Sequence, residues 1–502
     1  NKMSISSSSN LTSGFIDLAT FDELEKYMYG GSDATAYFVR DTCKATWFTL
    51  VPVVLSRASG QPGFDTEWSV SISRAGDYLL STWLRLTTPA LTLDPTKFSE
   101  SSTGVGTGWR MRWTRNLMHN IIRECSITFN DLVAARFDNY HLDFWSAFTV
   151  PAGKRTGYNN MIGNFDTLTA PKFKPSSSGG GSGSVSDNEG KLPAVTLNLP
   201  LPFFFSRDSG VALPTAALPY NDMRINFQFR NWDELLEVYE NSTLHPNAVG
   251  KSLTRKAKSE DFAAGFNVIA LSNVQVWANY AIVSNDERKR MACAPRDILI
   301  EQVQTAPRQT FLSNGNDRSP RYDIRFSHAI KVLFFAARNT TNKSGWSNYT
   351  AGSPTLAQTA AGTLDDMNYN ADSMVDPIAQ TSLVYENTTR LSQMGSDYFS
   401  LVNPWYHAPS IPLDTGYHMY SYSLDFICLD PMGSTNFGKL TNVSLVPEAS
   451  SDAVVSLGTP GSSTGWPLSK GVDVAQTFEF ITTAVSNNVV RVSGGALGFP
   501  VL

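Results

Sequence analysis

Charged residues are scarce in this 502-residue chain, only 17 % of the total, and the formal net charge is −5. Ordinary soluble domains carry roughly a quarter of their residues as Asp, Glu, Lys and Arg. With no basic tail, direct packaging of nucleic acid is excluded, because that task needs many phosphate-neutralising cations. No apolar run is long enough to span a bilayer: the longest, Ala329–Ala337, is short and contains Lys331. Residues 1–20 lack the basic start and apolar core of a secretory signal. Four cysteines (Cys43, Cys125, Cys293 and Cys428) lie far apart with no CxxC pair. A disulfide framework is not expected in so large a chain; the spacing predicts reduced, buried thiols, which suit folding in a reducing cytoplasm. Walker-type phosphate loops, HExxH and Cys/His clusters are all missing, so no cofactor and no metal is expected.

What is present is aromatic and turn-rich. The chain has 29 Phe, 18 Tyr, 11 Trp, 35 Gly and 26 Pro, and 42 % of its residues are hydrophobic. Such a balance favours an all-β protein with many turns and large packed interfaces. The length exceeds a single core, so two or more domains are expected.

The most informative stretch is Leu197–Arg230. Pro200, Pro202, Pro214 and Pro219 fix φ and remove donors, so it is not one regular element. Phe203-Phe204-Phe205 is too apolar to be left uncovered. Met223, Ile225, Phe227 and Phe229 then alternate with Arg224, Asn226, Gln228 and Arg230, the signature of a half-buried strand. Upstream, residues 1–13 form a Ser-rich arm expected to order on contact. Thr20 with Glu23 gives a capping-box pattern, and Phe21, Leu24 and Met28 recur at helical spacing, so Phe21–Tyr29 is a short amphipathic helix in need of a partner surface.

From Ala45 strands dominate. Trp47–Val51 is a strand bounded by Pro52, and Trp68–Ile72 with Leu79–Leu86 reads as a hairpin. Ile121–Asn130 is another strand, and the aromatic-dense Phe137–Phe148 is a short helix. Ser176–Glu189 is a low-complexity surface loop. Asn231–Gly265 is a polar excursion, Val274–Ile282 a strand and Asp286–Arg290 a charged connector. A weak internal repeat follows. Trp68–Pro89 resembles Tyr322–Thr341, and Pro200–Phe205 resembles Asn403–Tyr406, which leads into a strand alternating through His418, Tyr420, Tyr422, Leu424 and Phe426. Long loops are expected at Ser344–Asp376 and Glu448–Lys470. The pattern gives an arm over 1–44 and two β-domains over 45–286 and 287–502. It fits tandem jelly rolls, with tandem immunoglobulin-like sandwiches or a propeller open on composition alone.

Several stretches carry a resemblance. LPLPFFFSRDSGVALPTAALPYNDMRI (Leu199–Ile225), VQVWANYAIVSNDERKRM (Val274–Met291), ILIEQVQ (Ile298–Gln304) and VVRVSGGALGFPVL (Val489–Leu502) resemble the major capsid proteins of nucleocytoplasmic large DNA viruses. FIDLATFDELEKYMYGG, RWTRNLMHNIIRE and NPWYHAPSIPLDTGYHMYSYSL resemble the iridovirus version, invertebrate iridescent viruses in particular. The resemblance covers nearly the whole chain and departs in the loops. It implies an all-β double (tandem) jelly roll of two eight-stranded antiparallel β-sandwiches, with a short N-terminal helix and long loops. It further implies a homotrimeric, pseudo-hexagonal capsomer meeting neighbouring capsomers in an icosahedral virion shell around an inner membrane. Phe21, Leu24 and Met28 would sit at the base, against minor capsid proteins and inner membrane proteins.

Chemistry-bearing candidates are weak beside that reading. Gly461-Ser462-Ser463-Thr464-Gly465 has nucleophile-elbow spacing but lacks the strand-to-helix context. His328 falls on the apolar parity of its strand and reads as a satisfied core histidine; His407 and His418 are ordinary. Lys251–Lys258 reads as a solvated loop. Of seven sequons, Asn339, Asn342 and Asn348 are the candidate glycosylation sites, being near an expected loop. The rival function is a jelly-roll carbohydrate-binding or carbohydrate-active protein, which needs two opposed carboxylates in a cleft.

Overall fold

Alternating side chains resolve into antiparallel sheets across the described part of residues 48–499 of the computed structural model. It describes residues 4–94, 110–169, 191–241, 251–262, 269–312, 318–340, 343–351, 356–357, 376–456 and 476–499. The Gly104–Gly108 and Ser176–Glu189 loops, Asn342 and Gly461–Gly465 lie outside them. Residues 1–47 form one compact unit and residues 48–502 another.

In the first unit Ser4–Ala19 is a helix, where a Ser-rich arm was expected. Its signal was the i, i+4, i+7 spacing of Leu11, Phe15 and Leu18. The second helix is Glu23–Met28, inside the expected span, but Asp22 rather than Thr20 caps it. The Asp22 carboxylate accepts from Glu23 N at 2.8 Å, and the Glu25 carboxylate accepts from Asp22 N at 3.3 Å.

In the second unit one sheet runs Phe48–Val54, Ser272–Val283, Tyr78–Thr87, Thr196–Pro200. A second sheet runs Glu67–Ser71, Met223–Phe229, Ile122–Phe129, Leu132–Asp138, with Arg57–Ser59 added outside Glu67–Ser71. Taking the eight principal strands in chain order, the two sheets read first-eighth-third-sixth and second-seventh-fourth-fifth. Downstream the pattern recurs: Arg296–Thr305, Phe478–Ser493, Ala329–Asn339, His418–Ser421 form one sheet, and Tyr322–Ile324, Val443–Ala449, Ile378–Tyr385, Thr388–Gly395 the other. The strand order is identical, so the internal repeat is a repeat of topology.

The same order corrects two expectations. Glu67–Ser71 and Tyr78–Thr87 belong to different sheets, so the predicted hairpin is a corner. The chain crosses between layers at Gly76, where a Cβ would lie 2.5 Å from the Tyr280 Cβ. Likewise Asn403–His407 follows the fifth strand of its sandwich, so its counterpart is the helix Asn139–Thr149, not Pro200–Phe205. The prolines and aromatics match in composition at different topological positions.

Further differences are local. Pro52 lies within Phe48–Val54 rather than ending it, which an edge strand tolerates because, among the described residues, no strand pairs with its outer side. The polar excursion contains Leu236–Asn241 and Lys251–Lys256, paired with each other, and the former also pairs with Arg110–Trp113. The charged connector is a helix, Asn285–Cys293. His418–Ser421 is shorter than the expected strand, and Leu424 is exposed. His328 is half-buried at φ 64°, in the corner between Tyr322–Ile324 and Ala329–Asn339, so it is not a core histidine. Only Cys125 of the four cysteines is buried; Cys43 and Cys293 are exposed and Cys428 is intermediate.

Met223, Ile225, Phe227 and Phe229 point inward as their alternation requires, with Trp68 stacked on Phe227 at 4.7 Å. Phe203, Phe204 and Phe205 are all buried. Ala329–Asn339 is buried along nearly its whole length because both its faces are covered. Leu333, Phe335 and Ala337 join the core of their own sandwich, while Val332, Phe334 and Ala336 join the core of the first.

Candidate assembly surfaces

The helix Asn139–Thr149 carries the junction between the sandwiches. Asp138 starts it, its carboxylate accepting from His141 N at 3.0 Å, and burial raises the pKa of that carboxyl. Phe144 and Phe148 then stack on Phe334 of the downstream sheet at 5.8 and 5.5 Å. Asp143, fully buried among these rings, is the polar centre. Its Oδ1 faces His119 Nδ1 at 2.8 Å and accepts from Asn116 at 3.2 Å. Its Oδ2 accepts from Ser347 Oγ and Tyr349 OH, each at 2.8 Å. Burial, then the nearby carboxylate, holds the Tyr349 phenol well above its ordinary pKa. Ser347 bonds the carboxylate rather than the imidazole, whose Nε2 faces Tyr158 OH at 2.6 Å. No nucleophile–base pair is formed, and a buried, satisfied network of this kind fixes geometry instead.

Ser347 and Tyr349 belong to residues 344–351, expected to begin a long loop but buried in the junction. Trp346 lies between two guanidinium groups, Arg230 at 3.9 Å and Arg338 at 3.7 Å from its ring centre. Its Nε1 donates to Glu234 O at 2.9 Å. A buried ion cluster closes another part: Lys331 Nζ lies 2.6 Å from Glu301 Oε1, and Arg207 Nη2 lies 3.1 Å from Glu301 Oε2. Arg207 also covers the Trp145 ring at 3.6 Å. Neither Asp143 nor Trp346 was singled out from sequence. The available signal for Asp143 was an acid in the middle of an aromatic run, which burial forces to find partners.

Two candidate glycosylation sites do not fit. Asn339 is 2 % exposed, its Nδ2 donating to Thr350 O at 3.2 Å and Gln476 Oε1 at 3.3 Å. Asn348 is 6 % exposed and its Oδ1 accepts from Thr350 Oγ1 at 2.8 Å. A glycan on either would break the packing that buries it. His418 is buried, with Nε2 2.7 Å from Asp376, and His407 Nδ1 lies 3.0 Å from Leu424 O.

A groove of about 500 Å³ between Ala134–Asp138 and Gln302–Thr305 is the candidate for the rival carbohydrate reading. Its carboxylates, Glu124 and Asp138, are direct partners across one strand pair rather than residues of opposing walls. Among the described residues no cluster of three or more His, Cys, Asp or Glu is placed to hold a metal. No helix among them is long and apolar enough to cross a membrane.

Large apolar side chains instead lie on the outside. In the arm, Phe21, Leu24 and Met28 are exposed, together with Leu11, Phe15, Ile16 and Leu18. On the double sandwich, Leu401, Val402, Trp405 and Tyr406 form one exposed group, and Leu50 and Val54 lie on the edge strand. Surfaces of this kind mark interaction sites.

The comparisons agree with a protein built of faces rather than a pocket. The family model for "Major capsid protein N-terminus" matches residues 36–283, and that for "Large eukaryotic DNA virus major capsid protein" matches residues 287–498. The chain belongs to the major capsid protein family of large eukaryotic DNA viruses. It is 59 % identical over 499 residues to the major capsid protein of Costelytra zealandica iridescent virus, covering 99 % of each chain. The major capsid protein of Invertebrate iridescent virus 6 is 58 % identical over 500 residues, with 100 % of each covered. Frog virus 3 supplies a more distant relative, 41 % identical over 500 residues. Among solved structures, a quasi-atomic model of the PBCV-1 virus capsid matches with a TM-score of 0.65 at 19 % identity, over 93 % of this chain and 100 % of that one. The Faustovirus major capsid protein matches at 0.64 and 12 % identity, over 94 % of each. These neighbours are double jelly rolls, and so is this chain. The family is structural rather than enzymatic, and its place is the virion capsid.

Proposed function

We propose that this capsid protein assembles as a homotrimer whose two jelly rolls, over 45–286 and 287–502, give each capsomer six similar corners. The observation that carries this reading is the identical strand order of the two sandwiches, joined side by side through a buried junction. A chain that already contains two equivalent units needs a closed ring of three to make a near-hexagonal tile. Capsomers then meet edge to edge in an icosahedral shell around an inner membrane, built in the host cytoplasm. Within it the arm, through Phe21, Leu24 and Met28, contacts neighbouring capsomers, minor capsid proteins and inner membrane proteins at the base. Exposed apolar residues along the arm support that role.

The mass of the purified protein in solution tests the tile. A stable species of three chains is expected; a monomer that persists at high concentration and binds glycans overturns the reading. Deleting Met3–Gly31 should leave that species folded and impair shell assembly. If the deletion unfolds it, the arm's assignment to contacts beyond the capsomer is wrong.

A further inference from the structure

Each sandwich places a helical segment between its fifth and sixth strands. In the first sandwich this is Asn139–Thr149, and its rings are buried on the outer face of the downstream first-eighth-third-sixth sheet, at Phe334 and its neighbours. In the second sandwich the corresponding segment is Tyr398–Val402 continuing into Asn403–His407. Phe399 anchors it inward, its ring 5.3 Å from Phe335. Its other side is bare: Leu401 and Val402 are exposed, and Trp405 and Tyr406 are 71 % and 73 % exposed.

The receiving surface also has a second copy. The first-eighth-third-sixth sheet of the first sandwich is Phe48–Val54, Ser272–Val283, Tyr78–Thr87 and Thr196–Pro200. Trp83 and Trp277 are cross-strand partners there, with rings stacked 6.1 Å apart, and neither is buried. Leu50 and Val54 beside them are exposed. Among the described residues each chain thus buries one helix-on-sheet contact within itself and leaves both halves of an equivalent contact open.

We propose that the Leu401–Tyr406 face of one copy packs on the Trp83–Trp277 face of the next, repeating between chains the junction that joins the two sandwiches within a chain. The contact rests on the three-chain reading above and names the surfaces that build it. It is head to tail, since two different surfaces meet, and such contacts form rings when the rotation closes. Central exposed Trp and Tyr side chains are the residue types that dominate interface energetics.

The test uses the full chain with two variants, Trp405→Ala/Tyr406→Ala on the helical face and Trp277→Asp on the sheet face. Neither face belongs to a folded core, so circular dichroism should match wild type for both. Each variant should dissociate at concentrations at least roughly 30-fold above those that dissociate wild type, the scale of losing a hot-spot residue. Mixing them decides the geometry. Each retains the surface the other lacks, so the mixture should give a one-to-one heterodimer, seen by sedimentation or native mass spectrometry. If wild type forms three-chain species and both variants do so equally well, this contact is wrong while the trimer stands. If the variants dissociate but their mixture does not pair, the two surfaces do not face each other and the proposal fails. If wild type itself stays monomeric, the three-chain reading falls and this contact with it.

Discussion

Trp346 offers the sharpest test of the junction between the sandwiches. It comes from the second half of the chain, is 8 % exposed, and lies between Arg230 and Arg338. Truncation to alanine removes a large buried ring, which costs about 3–5 kcal/mol in well-packed cores. It also removes two cation–π contacts, worth about 0.5–2 kcal/mol each, and the hydrogen bond to Glu234 O, worth about 1 kcal/mol. These overlap and do not add, so a loss of about 4–5 kcal/mol is the expected scale. That is a large share of the roughly 5–15 kcal/mol that typically separates folded from unfolded states. Trp346→Ala should therefore lower the guanidinium midpoint strongly. In calorimetry it should split one transition into two, because the damage is at the joint and each sandwich keeps its own sheets. Trp346→Phe, which retains an aromatic ring but no N–H, should lose only about 1–2 kcal/mol. A loss below about 1 kcal/mol for the alanine variant, with one transition retained, would refute the claim that this ring holds the halves together.

Three further outcomes follow from buried groups. Burial, helped by Arg207, pushes the His141 pKa down to about 3, so the folded chain keeps that ring neutral while the unfolded chain protonates it near 6.5. Between those values the unfolded state binds the extra proton, so stability falls with falling pH by up to about 1.4 kcal/mol per unit. His141→Phe should then narrow the stability gap between pH 6.5 and pH 4.5 by roughly 2–3 kcal/mol in urea titrations; an unchanged gap would rule the effect out. Phe204→Asp places a charge in the core and should abolish soluble trimer in size-exclusion analysis, whereas an unchanged yield would contradict the burial of the aromatic triple. Gly416 has φ 101°, and a Cβ there would sit 2.0 Å from Tyr349 O, so Gly416→Ala should cost at least about 2 kcal/mol; an unaltered melting temperature would refute that clash.

Period-2 patterning made single strands legible. Met223–Phe229 and Ser272–Val283 needed nothing beyond alternation, and the helix at Asn139–Thr149 was visible in its density of aromatics. Pairing was less legible, since alternation does not state which sheet a strand joins. The corner at Gly76 therefore looked like a hairpin turn. Polarity also misled: Ser344, Ser347, Asn348 and Thr350 have loop composition, yet they are buried with satisfied hydrogen bonds. Composition cannot distinguish a polar group paired with protein from one paired with water. The resemblance supplied the family and the double jelly roll, but the alignment of Asn403–Tyr406 with Pro200–Phe205 was one strand out. Only the sheet order shows that Trp405 and Tyr406 stand where Phe144 and its neighbours stand.

The strand order also dictates a timetable for synthesis. Among the described residues Phe48–Val54 pairs with Ser272–Val283 alone, so the first sandwich stays open until more than two hundred further residues have left the ribosome. Arg296–Thr305 likewise waits for Phe478–Ser493, the last long strand of the chain. Ala329–Asn339 meets the same delay, because its sheet neighbours, His418–Ser421, Thr435–Asn436 and Phe478–Ser493, are all translated after it. Long-range pairing is slow to form and leaves unpaired apolar edges open to wrong contacts. The nascent chain thus carries one of its most apolar strands without its sheet partners until the C-terminal part of the chain is made, and a chaperone that shields Ala329–Asn339 would protect it over that interval.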